Sequence, residues 1–378
     1  MKPVVIAGYK RSPFHFAHKG QLVKKRPDDL AADVVRGLIE SSGVDPAGIE
    51  DLIMGCAFPE GEQGFNVARI VILLADLPIS VAGVTVNRFC GSSMQSIHIA
   101  AGAIQMNAGD AFICAGVESM SRVPMGGYNP MPNADLYERN EGAYMAMGET
   151  AENLAQKYQI PREEQEALAV SSHDKAAAAR AEGRLAGEIV AIECDGETID
   201  QDGCIRAGTT AEALANLEPA FDAEGTVTAG TSSPLTDGAS AVLVCTDEYA
   251  AANKLDVLAK IKSVAVAGCQ PEIMGYGPVV STIKALERAG IGMADIDVVE
   301  LNEAFAVQAL ACARELSFDL DKMNLDGGAI ALGHPLGATG ARITGKAAQL
   351  LQREGKQYAL ATQCIGGGQG ISTVLEAA

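Results

Sequence analysis

Apolar residues in this chain fall into short unbroken runs, separated by longer stretches in which they recur every three or four positions. The runs at 3–8, 50–55, 81–87, 110–116, 296–301 and 357–363 read as buried strands. The periodic or small-residue stretches at 28–42, 91–107, 279–289 and 338–353 read as helices. Strands and helices alternating in this way predict an α/β fold with parallel or mixed sheets. Residues 120–235 break the rhythm. They open on SRVPMGGYNPMPNADLY and continue into one long predicted helix at 162–182. That helix follows Pro161 and carries Glu163, Glu164 and Glu166 near its start, where the macrodipole favours acids. An insertion of this kind is a candidate lid or substrate domain.

The pattern also repeats. Residues 39–58, IESSGVDPAGIEDLIMGCAF, align without gaps on 286–305, LERAGIGMADIDVVELNEAF, with six of twenty positions identical. Each copy reads as the end of a helix, a glycine stop, a short acidic connection and a buried strand. The same offset sets Cys90 on Gly337, each where a glycine-containing turn opens a helix. AGDAFICAGVES at 108–119 and EGKQYALATQCIGG at 354–367 continue the likeness about one residue out of register. Two related halves with an insertion between them follow from this.

Composition narrows the functional classes. The 378 residues are 48% hydrophobic and 20% charged, enough apolar side chain for a large core. A net charge of −19 and only 4% aromatic residues, with no Trp, argue against a nucleic-acid binder or a protein held on anionic membranes. The most apolar stretch, IVILLADLPISVAGV, is interrupted by Asp76 and Pro78, so no membrane span is predicted. Residues 1–27 hold seven Lys or Arg and no acid, yet lack an amphipathic transit pattern and run directly into a strand-like VVIAG. The expected location is the cytoplasm. Nine cysteines without a CxxC spacing predict neither a structural zinc site nor a thioredoxin-type couple. Most should be small core residues.

Four segments could carry chemistry. In VTVNRFCGSSMQS at 84–96, Cys90 precedes Gly91 and a helix start, where the dipole would lower a thiol's pKa and favour thiolate; a plain core cysteine is the alternative. His98 stands eight helical residues away, about 12 Å, and is not an obvious base for it. In GGAIALGHPLGATGAR at 327–342, His334 lies between Gly333 and Pro335 in a tight turn, which suits a general base or oxyanion donor as well as a core histidine. No GK[ST] follows, so a phosphate loop is excluded. In TQCIGGGQG at 362–370, Cys364 ends a strand and three glycines offer converging amides, and a thiol there could exchange protons. In ELNEAFA at 300–306, Asn302 and Glu303 interrupt a buried junction; Asn302 either caps the helix or holds a catalytic water.

Taken together, these segments closely resemble the thiolase family. Asn87-Arg88-Phe89-Cys90-Gly91-Ser92, Asn302-Glu303-Ala304-Phe305, Gly333-His334-Pro335 and Cys364-Ile365-Gly366-Gly367-Gly368 carry the likeness, with GTVTAG (225–230), SSPLTDGASA (232–241) and MGYGP (274–278) in support. It runs through essentially the whole chain. The resemblance implies a duplicated five-layer αβαβα fold with an inserted loop domain. The halves would be 1–119 with 236–257, and 258–378, the loop domain 120–235 binding CoA. It implies that Cys90 is the acyl-accepting nucleophile, His334 the base that makes its thiolate, and Cys364 the second acid/base. Asn302 would hold a water that, with His334, binds the thioester oxygen of an enolate. The N–H groups of Cys90 and Gly366 would bind the tetrahedral oxyanion. Arg206 and Ser233 resemble CoA contacts, and Met147, Met274 and Phe305 resemble lining of the pantetheine and acyl pocket.

The implied reaction is cleavage of 3-ketoacyl-CoA by CoA, in β-oxidation, with acyl-CoA and CoA as substrates and no bound cofactor or metal. A homodimer or homotetramer is expected, with a further β-oxidation subunit as a possible partner. Asp326 stands where the family's NxNGG pattern has a second Asn. Ala146 replaces the His found in short-chain acetoacetyl-CoA enzymes, which leans the reading towards a degradative enzyme with a broader pocket. The alternatives are an acetoacetyl-CoA-specific acetyltransferase, a condensing ketoacyl synthase (disfavoured by Cys364, where that enzyme has His), and an inactive lipid carrier or scaffold subunit.

Overall fold

A computed structural model describes residues 2–378 as a ten-stranded sheet, a two-stranded one (Ile192–Cys194 with Glu197–Ile199), three large apolar cores and an insertion. The strands are β1 (Val4–Arg11), β2 (Asp51–Gly55), β3 (Ala82–Val86), β4 (Ala111–Ser119), β5 (Thr236–Thr246), β6 (Ala259–Gly268), β7 (Val298–Leu301), β8 (Tyr358–Ile365) and β9 (Gln369–Glu376). The main helices are α1 (Pro27–Ser42), α2 (Val67–Leu74), α3 (Ser92–Gln105), α4 (Met147–Tyr158), α5 (Arg162–Ala181), α6 (Gly277–Ala289), α7 (Ala306–Leu316) and α8 (Leu336–Glu354). Strand order is β7-β8-β9-β6-β1-β5-β4-β2-β3.

This order is two copies of one sheet joined at a narrow waist. In the first half β2 pairs parallel with β3 and β4, β4 antiparallel with β5, and β5 antiparallel with β1. In the second, β7 pairs parallel with β8, β8 antiparallel with β9, and β9 antiparallel with β6. A single parallel bridge, Val299 to Met323, stands where the first half has β3. Only Val5–Lys260 and Ile6–Ala259 join the halves at the waist. The helices repeat as well: α1 and α6 both end at a glycine, Gly43 and Gly290, with φ of +69°, the left-handed stop that only glycine takes without strain.

Alternation along the strands makes the layers. β1 sends Val5 and Ala7 outward beneath α1 and α2, and Val4, Ile6 and Tyr9 inward. β8 sends Leu360 outward towards α6 and α7, and Ala359, Ala361 and Ile365 inward. The inner core lies between the sheets and is filled by Met94, Ile97 and Ile104 of α3 and Ile343, Ala347 and Leu351 of α8. Helix, sheet, helix pair, sheet, helix is the five-layer arrangement. α3 and α8 approach closely because Gly340 has no side chain; a Cβ there would run into the Met94 backbone. The insertion lays α4 and α5 on the outer core of the second half through Leu154, Ala155, Leu168 and Ala169. Among the described residues no helix is long and apolar enough to cross a membrane.

The predicted elements are present, with ends shifted by a residue or a few. Three long strands escaped the hydropathy pattern, β5, β6 and β9, as did the short ones at His15–Phe16, Ile192–Cys194 and Glu197–Ile199. β5, TDGASAVLVCT, is buried along its whole length and rich in small residues, so neither alternation nor a strongly apolar run marks it.

Candidate active site

The duplication brings the start of α3, the end of β8 and the turn before α8 to one end of the inner layer. Cys90 sits in the loop between β3 and α3. That loop is locked: Asn87 Nδ2 donates to the Ala57 carbonyl (2.9 Å) and Asn87 Oδ1 accepts from Phe89 N (2.8 Å). Ser92 Oγ accepts from Arg88 N (2.9 Å) and donates to the Phe89 carbonyl (2.6 Å). Phe89 is held at φ +43°, a conformation bulky residues avoid, and its ring packs on Phe58 at 6.1 Å. Gln363 Nε2 donates to the Cys90 carbonyl, and Arg88 Nη1 to Gln369 Oε1 (2.7 Å), so the second half fixes the Cys90 loop of the first.

The Gly366 N–H and its own N–H favour the thiolate of the half-buried Cys90. The helix start was expected to make this thiol acidic. The structure reverses that expectation: burial pushes Cys90 up to about 11, and the two N–H groups offset only part of the rise. A partial charge at a helix end does not outweigh desolvation between two sheets. Cys90 at rest is a thiol, not a thiolate.

Cys364, at the end of β8, is buried and pushed well above the ordinary thiol range by burial, and further by the charge Cys90 would carry. A thiolate at Cys90 would therefore make Cys364 still harder to ionise. His334 is buried as well. Burial holds it down at about 3, with the Arg342 charge adding to the effect, so the ring is neutral. Its backbone N–H donates to Thr236 Oγ1 (3.0 Å), Nδ1 lies 2.5 Å from Thr339 Oγ1, and Nε2 lies 3.3 Å from Asn302 Nδ2. No hydrogen bond joins His334 to Cys90 among the described residues; Leu336, two residues after His334, packs in one cluster with Cys90.

Asn302 follows β7 and is fully buried, its N–H donating to the Thr362 carbonyl (3.0 Å). Its Oδ1 and Gln363 Oε1 are buried without a donor, acceptors open to a water or a substrate. Glu303 points elsewhere. It accepts from Ser172 Oγ (2.7 Å), Asn324 Nδ2 (2.7 Å) and Ile330 N (3.2 Å), which fastens the loop domain to the segment that leads to His334.

Met147, Met274, Phe305 and Cys364 share one apolar cluster. Met147 Sδ would stand 3.4 Å from a Cβ on Gly366, which places it beside the glycine turn. Phe305 meets Phe221 edge-on at 5.9 Å. Ser233 is tied by its N–H to the Ala304 carbonyl (2.9 Å), next to Asn302 and Glu303. Arg206 lies apart from these, exposed over the Phe16 ring at 5.1 Å, with no carboxylate within salt-bridge reach. Phe16 pairs with Thr236, the residue that holds His334.

Sequence reasoning missed Thr236, Thr339, Gln363 and Glu118. Glu118 is buried beneath the loop and accepts from Ala57 N (2.8 Å), Phe58 N (3.2 Å), Gln63 Nε2 (2.9 Å) and Gly337 N (2.9 Å). Thr339 and Gln363 stood inside segments already singled out, five residues after His334 and one before Cys364. Glu118 offered no local signal. His98, set aside as a base, is buried against Thr373 Oγ1 at 2.8 Å.

Residues 4–248 match the family described as "Thiolase, N-terminal domain" and residues 255–377 the one described as "Thiolase, C-terminal domain". A 3-ketoacyl-CoA thiolase of Bacillus subtilis is 47% identical and one of Vibrio cholerae 50%, each aligned over 100% of both chains. Among solved structures, human mitochondrial 3-ketoacyl-CoA thiolase in complex with CoA superposes with a TM-score of 0.93 at 37% identity, over 100% of this chain and 98% of that one. The Bacillus anthracis acetyl-CoA acetyltransferase gives 0.92 at 37%, over 100% and 99%.

Proposed function

The chain belongs to the thiolase family, and from that premise we propose that it cleaves 3-ketoacyl-CoA with CoA to acetyl-CoA and an acyl-CoA two carbons shorter, as in β-oxidation. Full-length relatives from Bacillus subtilis and Vibrio cholerae at 47–50% identity carry the 3-ketoacyl-CoA thiolase name and support the longer-chain substrate over acetoacetyl-CoA alone. The observation that carries the residue assignment is the convergence of Cys90, Gly366, Cys364, His334 and Asn302 from four distant segments at one end of the inner layer.

In this reading His334 Nε2 takes the Cys90 proton as the sulfur bonds to C3 of the substrate. The C3 oxygen becomes an oxyanion met by the N–H groups of Cys90 and Gly366. Collapse breaks the C2–C3 bond and leaves the acyl group on Cys90 and an acetyl-CoA enolate. The enolate oxygen is met by His334 N–H and by a water on Asn302, and C2 takes its proton from Cys364. Acetyl-CoA departs. The Cys364 thiolate then takes the proton of an incoming CoA thiol, CoA sulfur attacks the acyl-thioester, and Cys90 leaves as a thiol, recovering its proton from His334. All steps are reversible, which gives Claisen condensation in the other direction. Arg206 is free to meet a CoA phosphate, and Ser233, Met147, Met274 and Phe305 border the pantetheine and acyl path.

The test is a thiolysis series with 3-ketoacyl-CoA of four to sixteen carbons and free CoA. Turnover well beyond four carbons is expected. Turnover confined to acetoacetyl-CoA would replace the substrate assignment, and a folded, CoA-binding but inactive protein would favour a carrier.

The active form is proposed to be a homo-oligomer built on a dimer. β3 is the free edge of the first sheet, and around it Val84 (40% exposed), Leu73 (49%), Ile79 (74%) and Phe65 (93%) present apolar surface. A solution mass of one chain by light scattering would overturn this.

A further inference from the structure

We propose that Thr339 is a positioning residue that fixes the tautomer of His334, keeping a proton on Nδ1 so that Nε2 alone exchanges protons in the reaction. The inference rests on His334 being the base of the proposed function and says how it is kept ready.

A threonine hydroxyl has one hydrogen to give. In the first turn of α8 the Thr339 hydroxyl donates to the Pro335 carbonyl four residues back, at 3.0 Å. The same oxygen lies 2.5 Å from His334 Nδ1, and both side chains are buried. With its hydrogen on the carbonyl, that oxygen can only accept from the ring, so Nδ1 carries the proton. Asn302 Nδ2, 3.3 Å from Nε2, is compatible with a lone pair on that nitrogen. The backbone is pinned at the same place by the bond from His334 N to Thr236 Oγ1.

The chemistry requires this arrangement. In the proposed cycle Nε2 first accepts the Cys90 proton and then presents it as an N–H to the enolate oxygen. A resting ring with its proton on Nε2 could do neither in order, since the lone pair would sit on Nδ1, against the Thr339 hydroxyl. Burial keeps the ring neutral at rest, so a choice between tautomers exists, and one hydroxyl on α8 makes it.

The direct test is nitrogen NMR of protein labelled with 15N-histidine. There are five histidines, His15, His18, His98, His173 and His334, and the His334→Gln spectrum assigns the one of interest. The wild-type protein is expected to show a protonated Nδ1 and an unprotonated Nε2. Thr339→Val removes the acceptor at constant shape; it should lose that signature and lower kcat by about 10- to 100-fold, with KM for CoA little changed. Thr339→Ser should restore both. A wild-type ring protonated on Nε2 would overturn the proposal. So would a Thr339→Val protein that keeps the Nδ1–H signature, whatever its rate, because Thr339 would then act through packing alone. The wild-type spectrum does not depend on turnover, so an inactive protein with Nδ1–H would count against the proposed reaction and not against the tautomer.

Discussion

α3 and α8 occupy equivalent places in the two halves, lie side by side in the inner layer, and are made in opposite ways. α3, SSMQSIHIAAGAIQ, has no acidic or basic residue apart from His98, and apolar packing holds it. α8 carries buried charges along its length, each of them paired. Gly337 N at its start is capped by Glu118, Arg342 pairs with Glu300 (3.0 Å), and Lys346 meets Glu188 (2.9 Å) and Asp326 (2.6 Å). Arg353, near the end, also reaches Asp326 (2.6 Å), which Arg184 of the loop domain approaches from the other side. At the head of α8 the Glu118 carboxylate takes the Gly337 N–H. In the proposed function the head of α3 carries the nucleophile and the turn that opens α8 carries the base, while beyond its first turn α8 is fastened by buried ion pairs that α3 lacks.

That division predicts opposite consequences for the two helices. The largest effect should come from Cys90→Ser. Without a nucleophile of adequate strength, thiolysis should fall by about 10^4-fold or more. Incubation with acyl-CoA should leave no acyl adduct detectable by mass spectrometry, and Tm should stay close to wild type, because the loop is held by Asn87, Ser92 and Gln363 and not by the sulfur. Substantial remaining turnover would remove Cys90 from the mechanism. An unfolded variant would show instead that the head of α3 is structural after all.

The same contrast explains what could be read from the chain alone. The head of α3 and the turn before α8 are written in local code: glycines beside a cysteine or histidine at a strand-to-helix junction, and a helix-stop glycine at the same place in both copies. The fastening of α8 is not. Arg342 and Lys346 look like ordinary surface positions in a helix, and their partners lie far away in the chain: Glu188 in the insertion, Glu300 on a strand, Asp326 in a loop. Only the packing of one sheet against the other brings them together. Burial misled the reading of Cys90 for the same reason, since a helix start is visible locally and desolvation is a property of the assembled layers. Asp326 was noticed as a departure from a pattern without a role. The structure supplies one: it is a buried anion between three cations, where an asparagine could not balance the charge.

The smaller effect should therefore come from Asp326→Asn, and it should fall on stability. The exchange keeps the shape of the side chain and leaves Lys346 with Glu188 alone, and Arg184 and Arg353 without their buried partner. The cost should be about 3 kcal/mol, at the low end for a broken buried pair because both arginines keep an edge in water. Burial by itself would raise the Asp326 carboxyl, but the hydrogen bonds and charges of Arg353 and Lys346 outweigh it and hold the group below the usual range. A carboxyl depressed in the folded state contributes stability that is complete above the unfolded pKa, near 4, and is lost as pH falls through the lower folded value. Thermal melts should thus show the variant less stable than wild type at neutral pH, with the gap closing below about pH 4. The kcat of what remains folded should be nearly unchanged, because no contact of Asp326 touches Cys90, Cys364, Asn302 or His334. A gap that persists in acid would mean that shape and not charge fastens α8. A kcat that falls with the Tm would mean that the fastening of α8 beyond its first turn reaches the His334 end, and holding and chemistry would then not be separable along that helix.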